Sequence, residues 1–206
     1  MTRVKICGIT SVEDALAAVE AGADALGFVF VPGTSRVVDP DVVEGIVKEL
    51  PPLVTTVGVF VDQPLEDILR IASRSPLQVI QLHGRESEAF SRSVPLPVIK
   101  AIRVRDVRDL APVATYPARA FLLDAFVEGQ AGGTGTSISW DVARQVKSKV
   151  PIILAGGLRP ESVAQAVRIV RPYAVDVSSG VERSPGRKDH KKVREFIAAV
   201  READRG

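Results

Sequence analysis

Short β-rich runs alternate along the chain with longer segments of helical periodicity, and this alternation is the feature that most constrains the fold. The sequence predicts eight strands, near residues 3–7, 24–30, 55–60, 78–82, 97–101, 119–124, 151–155 and 174–178. It predicts helices near residues 12–21, 40–50, 64–74, 86–93, 106–114, 139–148, 160–170 and 189–203. Regular alternation of this kind is typical of parallel strands joined by crossover helices.

Eight is also the number of such units at which a parallel sheet closes into a barrel. We therefore predict an α/β fold, a single-domain (β/α)8 TIM barrel over residues 1–206. The length lies near the lower limit of this architecture, about 200 residues, so the connections must be short and no second domain fits. An open doubly wound sheet is the alternative. Its Gly-rich phosphate-binding turn after the first strand is not clearly present, since the segment 7–10 carries one glycine.

Local sequence signals mark the ends of several helices. Ser11 is suited to the N-cap of the first helix, and Gly22 follows its end. Pro160 suits the first turn of the seventh helix. Ser139, which stands just before Trp140, is suited to the N-cap of the sixth helix.

The composition argues against several classes of protein. The net charge of +2 comes from 27 basic and 25 acidic residues mixed along the chain, without the basic-aromatic stripe of a nucleic-acid-binding protein. The apolar runs are far shorter than the roughly 20 residues of a membrane span, and no signal peptide opens the chain. One cysteine excludes an intrachain disulfide and a thiolate zinc cluster. We expect a cytoplasmic protein without nucleic-acid or membrane partners, for which a monomer and a homodimer are both compatible with the sequence.

Residues able to carry chemistry follow the predicted strands at their carboxyl ends, where parallel α/β proteins build their sites. The titratable and polar ones are Cys7, Arg36, Gln81, His83 and Asp124. The small ones that form loops are Gly132, Gly133, Gly135, Gly156, Gly157, Ser178, Ser179 and Gly180.

Each titratable candidate has an ordinary structural explanation beside the chemical one. Cys7 carries an ionisable thiol, but free cysteines are among the most often buried residue types. Asp124, directly after the apolar run 121–123, is either a general acid or the cap of a turn. Arg36 suits bidentate recognition of a carboxylate or phosphate, unless it is a solvated loop residue. His83 is also compatible with an ordinary packed histidine, and only its position at the carboxyl end of a predicted strand favours a chemical role.

Two clusters of small residues predict a phosphate site. Gly156-Gly157 and Ser179-Gly180 follow the seventh and eighth strands, and loops at these places commonly hold a phosphate in barrels of this class. A single glycine pair more often makes a tight turn, so the prediction depends on two clusters on consecutive strands. The Gly-rich segment 132–135 is either a mobile lid or a flexible connection.

Five motifs resemble the phosphoribosylanthranilate isomerase family, and the resemblance extends from the first strand to the stretch 185–190. They are Val4-Lys5-Ile6-Cys7-Gly8-Ile9-Thr10, Gly27-Phe28-Val29-Phe30, Val57-Gly58-Val59-Phe60, Gln81-Leu82-His83-Gly84 and Asp176-Val177-Ser178-Ser179-Gly180-Val181-Glu182. The resemblance implies an Amadori rearrangement of a phosphorylated small molecule, N-(5′-phosphoribosyl)anthranilate, in tryptophan biosynthesis. It implies no metal and no cofactor.

The resemblance also implies roles for single residues. Cys7 matches the general base of the family and Asp124 its general acid. Arg36 matches the residue that meets the anthranilate group, and we place His83 on the same side. The loops that match the phosphate site hold Gly156, Gly157, Ser178, Ser179 and Gly180.

Strand alternation suggests a cation beside Cys7, which would favour the thiolate form of its side chain. Lys5 and Cys7 share one face of their strand, as do Asp176 and Ser178. Because the first and eighth strands are neighbours in a closed barrel, we expect Lys5 to pair with Asp176 below the site.

Three other functions compete with this interpretation. A histidine-pathway or dual-substrate isomerase resembles the fold, but such enzymes use an aspartate where Cys7 stands. A metal-dependent epimerase would need clustered histidine and carboxylate ligands, and the chain has two histidines. A non-catalytic sensor of a phosphorylated ligand would need no acid–base pair, so Cys7 together with Asp124 argues against it.

Overall fold

Eight parallel strands form the centre of the computed structural model, which describes residues 1–125, 138–146 and 148–206. They are β1 (Arg3–Cys7), β2 (Ala25–Val29), β3 (Thr55–Phe60), β4 (Val79–Leu82), β5 (Val98–Val104), β6 (Ala120–Ala125), β7 (Ile152–Ala155) and β8 (Ala174–Val177). Each strand pairs with the next, and β8 pairs with β1, so the sheet is a closed barrel. The predicted (β/α)8 barrel is confirmed, and the closure rules out the open doubly wound sheet.

Helices connect the strands and cover the outside of the barrel. They are α1 (Val12–Glu20), α2 (Pro40–Lys48), α3 (Leu65–Arg74), α4 (Glu88–Ser93), α5 (Ile138–Ala143), α6 (Pro160–Val170) and α7 (His190–Ala203). In the described ranges, 3-10 helices span Val107–Ala114 and Ser179–Val181, and the short strands β9 (Glu182–Ser184) and β10 (Arg187–Lys188) form a hairpin after β8. No helix in the described ranges is long and apolar enough to cross a membrane.

The local helix signals are confirmed in part. Ser11 caps α1, because its hydroxyl oxygen accepts a hydrogen bond from the backbone N–H of Asp14 at 3.2 Å. Ser139 is not an N-cap: α5 begins at Ile138, one residue earlier, so the prediction for this serine is wrong. The fifth predicted helix is a 3-10 helix that contains Pro112, which has no N–H to donate and cannot continue a regular α-helical ladder.

Side chains alternate between the inside and the outside of the barrel along every strand. Inward residues form one apolar cluster of Val57, Ile99, Ala101, Ala120, Leu122, Ile153, Ala155 and Ala174. A second inward cluster, nearer the carboxyl ends, contains Cys7, Val29 and Val59. The packed interior therefore ends just below the carboxyl rim, with the Cys7 thiol at its upper surface.

A buried ion pair fixes the loop that follows β4. Lys100 Nζ lies 2.7 Å from Glu86 Oε2 and donates a hydrogen bond to the carbonyl oxygen of Gly84 at 2.6 Å. The Glu86 carboxylate also accepts hydrogen bonds from the backbone N–H groups of Asp62 and Gly84 at 3.0 and 3.1 Å. Burial would raise the pKa of Glu86, but Lys100 and the backbone N–H groups of Asp62 and of Glu86 itself hold it below its ordinary value.

We expect Lys100→Met to lower the free energy of unfolding by about 3 kcal/mol, because it leaves the Glu86 carboxylate buried without its cation. Urea denaturation of the native protein and of Lys100→Met measures the difference in the free energy of unfolding. Lys48→Met is the matched control, since its partner Glu44 and the lysine itself are exposed at 47% and 67%. We expect no measurable change for the control, and an equally small change for Lys100→Met would contradict the assignment of a buried, stabilising pair.

Candidate active site

A cavity of about 440 Å³ opens at the carboxyl ends of the strands. Its lining includes every predicted site residue in the described ranges: Cys7, Arg36, Gln81, His83, Asp124, Gly156, Gly157, Ser178, Ser179 and Gly180. Gly132, Gly133 and Gly135, the predicted lid, lie outside the described residues. The cavity volume is typical of a pocket for a small molecule.

Cys7 lies at the floor of this cavity beside a buried ion pair. Lys5 Nζ and Asp176 Oδ1 are 2.8 Å apart, and the side chains of both residues are at least nine-tenths buried. The predicted pairing is confirmed, and its basis is the β1–β8 register, in which Lys5 stands opposite Asp176. Burial would lower the pKa of the Lys5 amine, but Asp176 and Cys7 raise it, so the amine keeps its charge.

Opposing effects act on the pKa of the Cys7 thiol. Burial has the largest effect and raises the pKa, and the charge of Asp176 raises it further. The charges of Lys5 and Lys188 lower it. The expectation that nearby cations favour the thiolate therefore holds for each lysine, although burial outweighs them in the free protein. Gly27 leaves room for this arrangement, because a Cβ atom there would stand 2.7 Å from Cys7 Sγ and 3.1 Å from Lys5 Nζ.

Asp124 lies on β6 and also lines the cavity, and its side chain is 32% exposed. Its Oδ2 lies 3.3 Å from His83 Nε2. The other ring nitrogen of this histidine, Nδ1, lies 3.0 Å from Gln81 Nε2. Asp124 is therefore a carboxyl group open to the cavity and held from one side, and it is more than the cap of a turn.

Arg36 is held at the rim by Glu182. Its Nε and one terminal nitrogen donate hydrogen bonds to the two carboxylate oxygens at 2.8 and 2.7 Å. Glu182 Oε1 also accepts a hydrogen bond from Lys188 Nζ at 3.0 Å, and this buried amine donates to the carbonyl oxygen of Cys7 at 2.6 Å. The bidentate pair orients the guanidinium and leaves its remaining N–H groups for a ligand.

The loops after β7 and β8 form the remaining wall. Gly156 and Gly157 have φ angles of 85° and 65°, a backbone conformation that side-chain-bearing residues rarely adopt. At Gly180 a Cβ atom would overlap the carbonyl oxygen of Leu158, so the two loops approach each other without space for a side chain. Ser178 Oγ is buried and finds no hydrogen-bond partner among the described residues.

Two features of the site were missed by sequence reasoning. Arg103 lines the cavity because β5 runs to Val104, three residues beyond its predicted end, and in the register Arg103 stands opposite Asp124. Lys188 is fully buried under the site, although it lies in a polar stretch of sequence. Extending the inward alternation of residues 99 and 101 by one step would have found Arg103, whereas no local signal marks Lys188 as buried.

These features define the class of protein as a TIM-barrel enzyme, because a thiol, a carboxyl group and small-residue loops meet at the carboxyl face where such enzymes react. No group of three or more His, Cys, Asp or Glu side chains within the described part of the chain is placed to hold a metal ion.

The particular family follows from comparison with known proteins. The family model of N-(5′-phosphoribosyl)anthranilate isomerase matches residues 4–199. The curated relative from Geobacter metallireducens, named N-(5′-phosphoribosyl)anthranilate isomerase, is 54% identical over 197 residues, which are 96% of this chain and 98% of the relative. The chain belongs to the N-(5′-phosphoribosyl)anthranilate isomerase family.

Solved structures agree with this assignment. The phosphoribosyl anthranilate isomerase of Thermotoga maritima is 44% identical and superimposes with a TM-score of 0.91, covering 98% of this chain and 100% of that one. A second structure, 44% identical with a TM-score of 0.85 over 98% of this chain and all of that one, is a complex with reduced 1-(o-carboxyphenylamino)-1-deoxyribulose 5-phosphate. A member of the family thus binds a phosphorylated small molecule.

Proposed function

We propose that this protein isomerises N-(5′-phosphoribosyl)anthranilate to 1-(2-carboxyphenylamino)-1-deoxyribulose 5-phosphate in the biosynthesis of tryptophan. The proposal depends mainly on one observation, which is that a single cavity is lined by the Cys7 thiol, the Asp124 carboxyl group and loops suited to a phosphate. The thiol lies beside the buried Lys5–Asp176 ion pair. We further propose that residues 1–206 act as one catalytic domain in the cytoplasm.

The reaction needs an acid and a base that work in sequence. Asp124 donates a proton to the ribose ring oxygen, the bond from that oxygen to C1′ breaks, and a Schiff base with the anthranilate nitrogen forms. The Cys7 thiolate then removes the proton from C2′ and gives an enolamine. Loss of the enol proton and protonation at C1′ convert the enolamine to the ketone, so Cys7 forms no covalent bond to carbon.

The rest of the cavity binds the two ends of the substrate. The backbone N–H groups of the glycine-containing loops are suited to phosphate oxygens, as is the Ser178 hydroxyl, which has no partner in the described part of the chain. The Arg36 guanidinium, already oriented by Glu182, is suited to the anthranilate carboxylate. The carboxyl group of Asp124 and the thiol of Cys7 would then face the ribose between them, without metal or cofactor.

Turnover by the native protein tests the proposal. The loss of phosphoribosylanthranilate fluorescence is followed in buffer that contains a metal chelator, and the product is compared by chromatography with the authentic ketose. We expect cofactor-free turnover to that product. Tight binding of the product's reduced analogue without any turnover would contradict the proposal and favour a phosphate-ligand sensor.

We expect Gly180→Ala to raise KM by about 10- to 100-fold, because its Cβ pushes the phosphate-binding loop away from Leu158 and misplaces the substrate. Steady-state kinetics measure the change. Gly45→Ala in α2 is the matched control, since a Cβ there meets nothing within 4 Å. An unchanged KM for Gly180→Ala would show that this loop does not hold the substrate.

A further inference from the structure

A short chain of polar side chains leads from the barrel interior to Asp124. Gln81, on β4, is 1% exposed, and its Nε2 lies 3.0 Å from His83 Nδ1. The opposite ring nitrogen, His83 Nε2, lies 3.3 Å from Asp124 Oδ2. The imidazole is therefore fixed at both of its nitrogens, one by a buried amide and one by the carboxyl group.

The chemistry of the amide determines which nitrogen of His83 carries the proton. An amide NH2 group donates and cannot accept, so Nδ1 of a neutral imidazole facing it must be the acceptor. The ring proton then lies on Nε2 and points at Asp124 Oδ2. Gln81 Oε1 is buried and has no partner among the described residues, so the hydrogen bond of Gln81 Nε2 with His83 Nδ1 is the contact that orients the amide.

We propose that His83, held in one tautomer by Gln81, is a positioning residue for the proton of Asp124. Because the N–H of His83 occupies Oδ2, a protonated Asp124 carries its own proton on Oδ1, where it is free to be given to the substrate. After that transfer the same N–H donates to the carboxylate. This inference rests on the proposed function, in which Asp124 is the acid, and it gives His83 a role other than contact with the anthranilate group.

The opposite amide orientation shows why the tautomer matters. With Gln81 Oε1 toward the ring, Nδ1 would carry the proton and Nε2 would be an acceptor. A protonated Asp124 would then donate its proton to His83 and would no longer present it to the cavity. The orientation of the Gln81 amide thus determines whether the proton of Asp124 is available to the substrate or is donated to His83.

Nuclear magnetic resonance of histidine labelled with nitrogen-15 observes the tautomer directly. The chain has two histidines, and His190 is paired with Asp14 away from the cavity. In the His190→Gln variant, the remaining imidazole signals are therefore those of His83. We expect Nδ1 unprotonated and Nε2 protonated in the free protein. In Gln81→Glu, whose carboxylate can only accept, we expect Nδ1 to become protonated. A protonated Nδ1 in the native protein, or unchanged signals in Gln81→Glu, would overturn the proposal.

Kinetics separate positioning from substrate contact. We expect His83→Ala to lower kcat by about 100-fold with an unchanged KM, because the acid loses its orientation. His83→Gln, which keeps an N–H near the position of Nε2, should restore part of kcat, and His190→Gln should leave both constants unchanged. A raised KM with a native kcat in His83→Ala would show contact with substrate instead and would overturn the proposal.

The Asp124 background distinguishes a failure of this inference from a failure of the proposed function. If Asp124→Asn keeps a native kcat, Asp124 is not the acid and the proposed mechanism fails. If Asp124→Asn is impaired, we expect the additional change His83→Ala to cause no further loss of kcat. A further loss of the full 100-fold in that double variant would show that His83 acts independently of Asp124, and would leave the proposed function intact.

Discussion

We expect Asp124→Asn to lower kcat by about 10²- to 10⁴-fold, because asparagine has the shape of the aspartate side chain but no proton of suitable acidity. Opening of the ribose ring then proceeds without a general acid. KM should stay close to that of the native protein, since Arg36 and the loops after β7 and β8, which bind the two ends of the substrate in the proposed function, are unchanged in this variant. Steady-state kinetics with phosphoribosylanthranilate measure both constants.

Asp41→Asn is the control for this change. It makes the same substitution of an amide for a carboxylate, at a side chain that is 67% exposed and bridges α2 to Arg74 of α3 on the outside of the barrel. We expect a native kcat for the control. A native kcat for Asp124→Asn as well would remove Asp124 from the mechanism.

We expect Cys7→Ser also to lower kcat by about 10²- to 10⁴-fold, since a hydroxyl group does not ionise near neutral pH and cannot serve as the base. Serine is close in size to cysteine, and the Lys5–Asp176 pair does not depend on the thiol for its 2.8 Å contact. Circular dichroism and binding of the reduced product analogue should therefore remain native while turnover is lost.

The mass of the intact native protein during turnover distinguishes a base from a nucleophile. Because Cys7 accepts a proton and forms no bond to carbon, we expect the mass of the unmodified chain alone. A substrate adduct that is present in the native protein and missing in Cys7→Ser would contradict the role of Cys7 as a base.

The sequence predicted the barrel well because its evidence was periodic and repeated eight times. Once parallel strands of that number are expected, closure makes β1 and β8 neighbours, and strand parity places Lys5 and Asp176 on the same face of the sheet. The register of the structure then sets the two residues opposite each other. The carboxyl-end rule likewise brought Cys7, Asp124 and the glycine-containing loops to one cavity, although they are far apart along the chain.

What the sequence missed depends on contacts between distant segments. Arg103 went unnoticed because the end of β5 is set by its pairing with β6, which runs to Val104, and no local signal marks it. Lys188 is buried by the packing of the β9–β10 hairpin against the carbonyl oxygen of Cys7. The contact of His83 with Asp124 joins β4 and β6, so it depends on the barrel's curvature, which a linear pattern does not describe.

A single titration tests whether Cys7 is the base of the reaction. The chain has a single cysteine, so the ultraviolet absorbance of thiolate, corrected with the Cys7→Ser protein for tyrosine ionisation, reports Cys7 alone. Because burial raises the pKa of the thiol, its thiolate forms at higher pH than in an exposed cysteine. A reaction that needs both this thiolate and a protonated Asp124 has a pH profile of kcat/KM with one bend for each group. We predict that one of these bends coincides with the midpoint of the thiolate absorbance. A profile without a bend at that midpoint would contradict the role of Cys7 as the base.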